Sequence, residues 1–138
     1  MGRLSLSLLT VFALSGCSLL PAIGPAAEET ATSPPGDRYP DVLAVELRPT
    51  GARVYDVSVT ISSPYDSPAR YADCWRVLGP SGVVLGTHTL LHDHASEQPF
   101  TRTQRALSIP AGIEQVTVEG RDQLYGFGGQ TVTVDVPG

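Results

Sequence analysis

Hydrophobic and polar residues alternate along most of the C-terminal two thirds of this chain. The clearest segment has Tyr55, Val57, Val59 and Ile61 alternating with short polar residues. A period of two places the apolar side chains on one face of a β-strand and the polar ones on the other. Segments of similar character are 42–48, 71–78, 83–91, 100–108, 113–119 and 131–136. No segment has the period of an amphipathic helix, so the pattern predicts an all-β fold.

Turn-forming residues separate these segments and indicate how they connect. Proline, glycine, serine and aspartate cluster at 49–51, 63–68, 79–82, 110–112 and 126–129. Seven short strands at this spacing predict a seven-stranded antiparallel Greek-key sandwich of the immunoglobulin or fibronectin III type. Trp75 falls in the third strand, where such sandwiches bury a tryptophan between the sheets. The cysteine pair of antibody domains is missing, so this resemblance concerns fold alone.

The first residues follow a different pattern. One charge, Arg3, precedes an apolar run over 4–14 that has the length of a signal peptide and is too short to span a bilayer. The run ends in Leu14-Ser15-Gly16-Cys17, which resembles the lipobox of bacterial lipoproteins. This resemblance implies cleavage before Cys17, a diacylglyceryl thioether on its sulfur and acylation of the new amino terminus. The alternative, a buried helix of a folded domain, would require a polar face that the run lacks.

Residues 17–40 are rich in proline, alanine and charge and have no periodic apolar face. Such a segment cannot bury enough surface to fold, so we expect a disordered tether with a reach on the order of 30 Å. The predicted organisation is therefore a signal peptide (1–16), a lipid-anchored tether (17–40) and a β-sandwich (41–138). Ser18 is not the aspartate that retains lipoproteins in the inner membrane. In a Gram-negative host we therefore expect the outer membrane, with the domain facing the periplasm.

The charge and the cysteine content of the chain limit which partners and which disulfides it can have. The net charge is −5, and it becomes one unit more negative when Arg3 leaves with the signal peptide. An acidic domain argues against nucleic acid as a partner and against electrostatic attraction to anionic lipid. If Cys17 carries lipid, Cys74 has no partner within the chain and no disulfide braces the fold. Cys74 is then either a small covered side chain or a thiol that pairs between molecules.

The three histidines lie close together in the sequence. We letter the seven predicted strands A, B, C, C′, E, F and G in chain order. If they alternate in direction, the B–C, C′–E and F–G connections meet at one end, as in antibody variable domains. His88, His92 and His94 have even spacing, and Glu97 follows them within the C′–E connection. Imidazoles with a carboxylate suit zinc or copper(II), so these four residues are a candidate metal site. The alternative is a polar loop whose side chains bond to backbone and water.

Aromatic residues in the other two connections are candidates for partner contact. Tyr65 lies in B–C, whereas Tyr125 and Phe127 lie in a glycine-rich F–G turn. Exposed aromatics on such loops can bind a protein or a glycan. The alternative is a hairpin whose glycines adopt positive φ while the rings fold back over the sandwich.

Signatures of catalysis are missing from the sequence. There is no HExxH, no phosphate-cradling loop and no dinucleotide fingerprint, and Ser81 lacks the strand-to-helix elbow of hydrolases. The segment 71–136 also resembles small exported bacterial proteins of undefined function, through Trp75-Arg76-Val77, His92-Asp93-His94 and the run from Glu97 to Arg102. We therefore expect a non-enzymatic binding or structural module, lipid-anchored at the cell envelope, without a cofactor and with an envelope protein or glycan as its partner. The alternative is an envelope metal-binding protein that uses the histidines for zinc or copper.

Overall fold

The structure, a computed structural model, describes residues 38–138. The predicted signal peptide, Cys17 and most of the predicted tether lie outside the described residues. Within them, the chain forms eight strands and one short 3-10 turn, Pro80–Gly82. The strands are β1 (Asp41–Gly51), β2 (Val54–Ser62), β3 (Ala72–Leu78), β4 (Val84–Thr89), β5 (Phe100–Ser108), β6 (Gln115–Asp122), β7 (Gly126–Phe127) and β8 (Val132–Asp135).

The predicted all-β class is confirmed, and each predicted segment overlaps an observed strand. The strand count differs because β7 falls within 126–129, which the sequence predicts as a turn. Gly126 has φ of +84°, as expected for that turn, yet it also pairs with Asp122 in β6. The final hairpin therefore has two short pairing segments, β7 and β8, where one strand was predicted.

The strands form two antiparallel sheets. One has three strands in the order β1-β2-β5. The other has the order β4-β3-β6, with β7 and β8 both paired to the remaining edge of β6. Consecutive strands therefore cross between sheets after β2, β4 and β5.

Buried residues of both sheets form a single core. Tyr55, Val57, Val59 and Ile61 are all buried, which confirms the predicted inward face of β2. Trp75 is fully buried, as predicted for the third strand, and its ring stacks on His88 with centroids 4.2 Å apart. Alternation along β3 thus sets Trp75 and Val77 inward and leaves Arg76 on the outer face.

The described part of the chain begins on the domain itself. Sequence analysis places residues 38–40 at the end of the tether, but Pro40 is buried and Tyr39 packs on the turn that follows β7. A Cβ on Gly128 would lie 2.7 Å from the Tyr39 ring, so a glycine is needed there for this approach. The folded domain accordingly begins a few residues before its predicted start at residue 41.

Candidate functional site

Three connections meet at one end of the two antiparallel sheets. β1 begins beside the end of β2, where Asp41 pairs with Ser62. β3 begins beside the end of β6, where Ala72 pairs with Asp122. We call this the loop end, and its connections are residues 63–71, 90–99 and 123–125.

Hydrogen bonds join these connections to one another. The Ser63 amide donates to Oε1 of Gln98 (2.7 Å), and Nε2 of Gln98 donates back to Oγ of Ser63 (3.1 Å). The Gln123 amide donates to the Tyr71 carbonyl (3.1 Å). The loop end is therefore a braced surface, not three independent loops.

Asp66 holds two of the connections together. Its carboxylate is almost fully buried and accepts from the Ala72 amide through Oδ1 and from the His94 amide through Oδ2, both at 3.0 Å. Both oxygens of Asp66 are thus engaged by backbone donors. This carboxylate therefore supports the loops and is not available to bind a ligand.

Asp122 performs the same role for the third connection. The carboxylate is fully buried, and its Oδ1 accepts from the amides of Leu124 (2.9 Å) and Tyr125 (2.8 Å). Its Oδ2 accepts from Nε of Arg70 at 3.0 Å. A buried charge of this kind is tolerated because it is paired and hydrogen-bonded on both oxygens.

Arg70 lies between two tyrosine rings. Its guanidinium carbon is 4.1 Å from the centroid of Tyr65 and 4.8 Å from that of Tyr125. The Arg38 guanidinium also lies over Tyr125, at 5.0 Å, and Tyr39 meets the same ring edge-on at 6.3 Å. We call these five residues the tyrosine patch. Cations over aromatic faces are mutually attractive, so the half-exposed Tyr125 ring is held in place before any partner arrives.

Tyr65 contributes an aromatic ring to the tyrosine patch but not a hydroxyl that can lose its proton. Burial, and then the negative charge of Asp122, raises the pKa of the Tyr65 hydroxyl far above its usual range. The hydroxyl therefore stays protonated at any physiological pH. The patch offers aromatic surface and fixed cations but no general base.

Phe127 is separated from the two tyrosines. The ring contact that the structure gives it is with Arg76, whose guanidinium carbon lies 3.8 Å from the Phe127 centroid. Arg76 also pairs with Glu119 at 2.8 Å across the outer face of the five-stranded sheet. Of the three aromatics predicted as contact residues, the structure brings Tyr65 and Tyr125 together and leaves Phe127 on a neighbouring face.

A cleft of about 290 Å³ opens beside the β4–β5 connection. His94 lies 4.8 Å from His92 between ring centroids and stacks on Phe100 at 3.8 Å. The cleft is lined by arginine and histidine side chains together with apolar side chains. We call it the histidine cleft, and its lining residues are His88, Thr89, Leu90, Leu91, His92, His94 and Arg102.

His94 is the most unusual residue in the cleft. Only 2% of it is exposed, and neither ring nitrogen has a hydrogen-bond partner among the described residues. Burial, reinforced by the positive charge of Arg102, lowers the pKa of its imidazole. A neutral ring packed on Phe100 is the form this environment favours.

The four residues predicted as metal ligands are not assembled as one set. His88 stacks on Trp75, and Glu97 is occupied by Arg102 at 2.9 Å, a hydrogen bond that lowers the pKa of the Glu97 carboxyl. Within residues 38–138, no group of three histidine, cysteine, aspartate or glutamate side chains is arranged to hold a metal ion. His92 and His94 are the pair that the structure does bring together.

Cys74 is free and buried. Burial, and then the nearby Asp73, raises the pKa of its thiol, which keeps it in the unreactive protonated form. This agrees with the interpretation of Cys74 as a small covered side chain. Cys17 lies outside the described residues.

A larger depression, about 440 Å³, lies at the opposite end of the domain. Its charged lining residues are Glu114, Asp135 and Arg53. The Arg53 guanidinium donates to the carbonyls of Ile109, Pro110 and Ile113. The positive charge therefore serves the β5–β6 connection. The loop end remains the better candidate site, because its exposed groups are not consumed by the fold.

Sequence reasoning missed several members of the site. Arg38 and Tyr39 were assigned to the tether, and Arg102 and Leu91 were not selected. Tyr39 was the available signal, since it is the one aromatic residue in the predicted tether segment 17–40. Among residues 38–138, no helix has the length and apolar character needed to cross a membrane.

Comparison with known proteins gives one informative match. Over 109 residues the chain is 41% identical to a protein from Halomicrobium mukohataei (strain ATCC 700874) named "Putative lipoprotein". The match covers 79% of this chain and 53% of the relative, so the chain spans about half the length of the protein it resembles. No protein-family model and no solved structure matches the chain.

Proposed function

We propose that the chain is a lipid-anchored cell-envelope protein whose β-sandwich is a non-enzymatic binding module, with the loop end as its contact surface. The observation that carries the proposal is the placement of Arg70 between Tyr65 and Tyr125, secured by the buried Asp122. A half-exposed aromatic whose position is fixed in advance loses little entropy on binding. The lipobox-like Leu14–Cys17 segment and the similarity to a protein named as a lipoprotein support the anchor.

The fold we infer is an immunoglobulin-like Greek key. With the strands lettered in order, β1, β2 and β5 are A, B and E, and β3, β4 and β6 are C, C′ and F. The final pair, β7 and β8, together occupies the place of strand G. In constant-type immunoglobulin domains the fourth strand joins A, B and E, whereas here it joins C and F. This order supports the fibronectin III variant of the fold.

In a host with two membranes, Ser18 favours the outer one, with the domain facing the periplasm. Separating the two membranes on a density gradient would show in which of them the protein lies. The anchor itself needs only Cys17.

The proposal is tested by placing a photo-crosslinking phenylalanine analogue at Tyr125 in cells fed a clickable palmitate. We expect the chain to carry the fatty acid. On illumination, we expect the residue at position 125 to form a covalent adduct with the molecule that contacts the loop end. The matched control is Ala111, which is exposed in a turn at the opposite end. In the Cys17→Ala variant, label, membrane fractionation and adduct should all be lost. Continued labelling of that variant contradicts the anchor, and equal adducts from 111 and 125 contradict the loop end as the contact surface.

A second candidate function, metal binding at the envelope, is favoured by one observation. Among residues 38–138 the two ring nitrogens of His94 have no hydrogen-bond partner, and the His92 ring lies beside that of His94. Two imidazoles can ligate zinc or copper when a further ligand comes from solvent or a partner.

We expect such a site to bind about one Zn²⁺ per chain. Affinity should fall in acid, because protonated imidazole cannot ligate, although the lowered pKa of His94 keeps that ring available below the usual range. Calorimetry measures both effects. His92→Ala with His94→Ala should abolish the binding, whereas the control Glu97→Gln should not, since Glu97 is engaged by Arg102. A titration without heat at neutral pH rules this candidate out.

A further inference from the structure

We propose that the loop end rests on the surface of the lipid bilayer, with Leu91 and Leu124 entering the interface and Tyr125 lying at headgroup level. The inference depends on the lipid anchor proposed above and names the partner of the same contact surface. It concerns apolar and aromatic contact, not electrostatic attraction to the membrane.

The first argument is where the chain enters the domain. The described residues begin at Arg38, and Arg38 and Tyr39 lie directly on Tyr125 at the loop end. The Arg38 carbonyl also accepts from Arg70 at 2.8 Å. If the lipid is on Cys17, twenty residues separate it from Arg38, and a flexible chain of that length spans about 25 Å. The loop end is consequently the end of the sandwich that the anchor holds nearest to the bilayer.

The second argument is the exposure of large apolar side chains at that end. Leu91 is 82% exposed, Leu124 is 68% exposed and Tyr125 is 46% exposed. All three lie in connections and not on strand faces, so they project from the end of the domain. Apolar side chains gain free energy on leaving water, and tyrosine is favoured where one end of its ring is apolar and the other wet.

The third argument is the distribution of charge around these residues. In the described connections 63–71 and 123–125, no exposed residue is acidic, since Asp66, the carboxylate they contain, is buried. The third connection, which carries Leu91, does expose Glu97, and that carboxylate is paired with Arg102. The exposed residues of the first two connections are Pro64, Pro68, Ala69, Gln123, Leu124 and Tyr125. No carboxylate on these two loops therefore has to be desolvated when they meet the interface.

The opposite end differs in charge and serves as an internal comparison. It exposes Glu114 and Asp135, together with two valines, Val83 and Val84, which are about half exposed. Apolar exposure alone is thus not what distinguishes the loop end. Its distinction is apolar exposure combined with the point of chain entry and the lack of exposed acid on two loops.

The test is a nitroxide depth measurement on the full-length, lipidated chain in phosphatidylcholine vesicles. Labels are attached to Leu91→Cys and Leu124→Cys, and Val83→Cys is the matched control, all with Cys74→Ser. We expect the labels at 91 and 124 to lose collisions with a water-soluble nickel chelate and gain collisions with oxygen, whereas the label at 83 stays aqueous. Adding Leu124→Glu should return the label at 91 to the aqueous value, and adding Val84→Glu should not.

Flotation of the vesicles separates the two proposals. Labels at 91 and 124 that are as aqueous as the label at 83, on a protein that still floats, overturn the docking and leave the anchor intact. Protection that arises in native envelope membranes but not in pure lipid vesicles identifies a protein partner and also overturns the docking. A chain that does not float refutes the anchor and, with it, this inference.

Discussion

Replacing Trp75 with alanine is expected to lower the free energy of unfolding by about 3–5 kcal/mol. The ring is fully buried in the core that also contains Val77 and Val118, so its removal loses buried apolar surface and leaves a cavity there. Denaturant unfolding followed by circular dichroism measures the change, since the variant has no tryptophan to report by fluorescence.

The matched control for this substitution is Trp75→Phe. The indole Nε1 is buried without a hydrogen-bond partner among the described residues, so phenylalanine removes an unsatisfied donor while keeping an aromatic ring against His88. We expect phenylalanine to cost clearly less than alanine. An alanine variant as stable as the parent would contradict the placement of Trp75 in the core.

Replacing Asp122 with alanine is the second substitution with a large expected effect, a loss of about 3 kcal/mol. It leaves the Arg70 guanidinium, which is three-quarters buried, without its carboxylate. It also removes the acceptor of the Leu124 and Tyr125 amides, so we expect these two amides to exchange hydrogen faster. Hydrogen exchange and denaturant unfolding on the same samples measure the two effects.

Two variants serve as controls for Asp122. Asp122→Asn keeps an oxygen for the amides but loses the charge, and we expect its stability to lie between those of alanine and aspartate. Glu97→Ala breaks an ion pair with Arg102 whose partners are both substantially exposed, so its cost should be about 0–1 kcal/mol. Equal losses for Asp122→Ala and Glu97→Ala would show that Asp122 does not brace the loop end.

The local pattern of the sequence determined the strands of this protein and their inward faces. A period of two is a property of neighbouring residues, so the inward face of β2 and the buried Val116 and Val118 of β6 follow directly from it. The burial of Trp75 was predicted from its place in the third strand of the expected sandwich, and the structure buries it. β7 was missed because Gly126 and Phe127 carry turn-forming character while their pairing to β6 depends on the neighbouring strand.

Only the tertiary structure decided which side chains of the loop end meet. Arg70 and Asp122 are far apart in the chain, and nothing in either residue's surroundings indicates that Arg70 will lie between Tyr65 and Tyr125. The even spacing of the histidines suggested one ligand face. His88, however, lies within β4 opposite Trp75 and stacks on its ring. The strand ends at Thr89, so His92 and His94 lie in the connection. Contacts between loops depend on how strands cross between two sheets, and hydrophobic periodicity carries no information about that crossing.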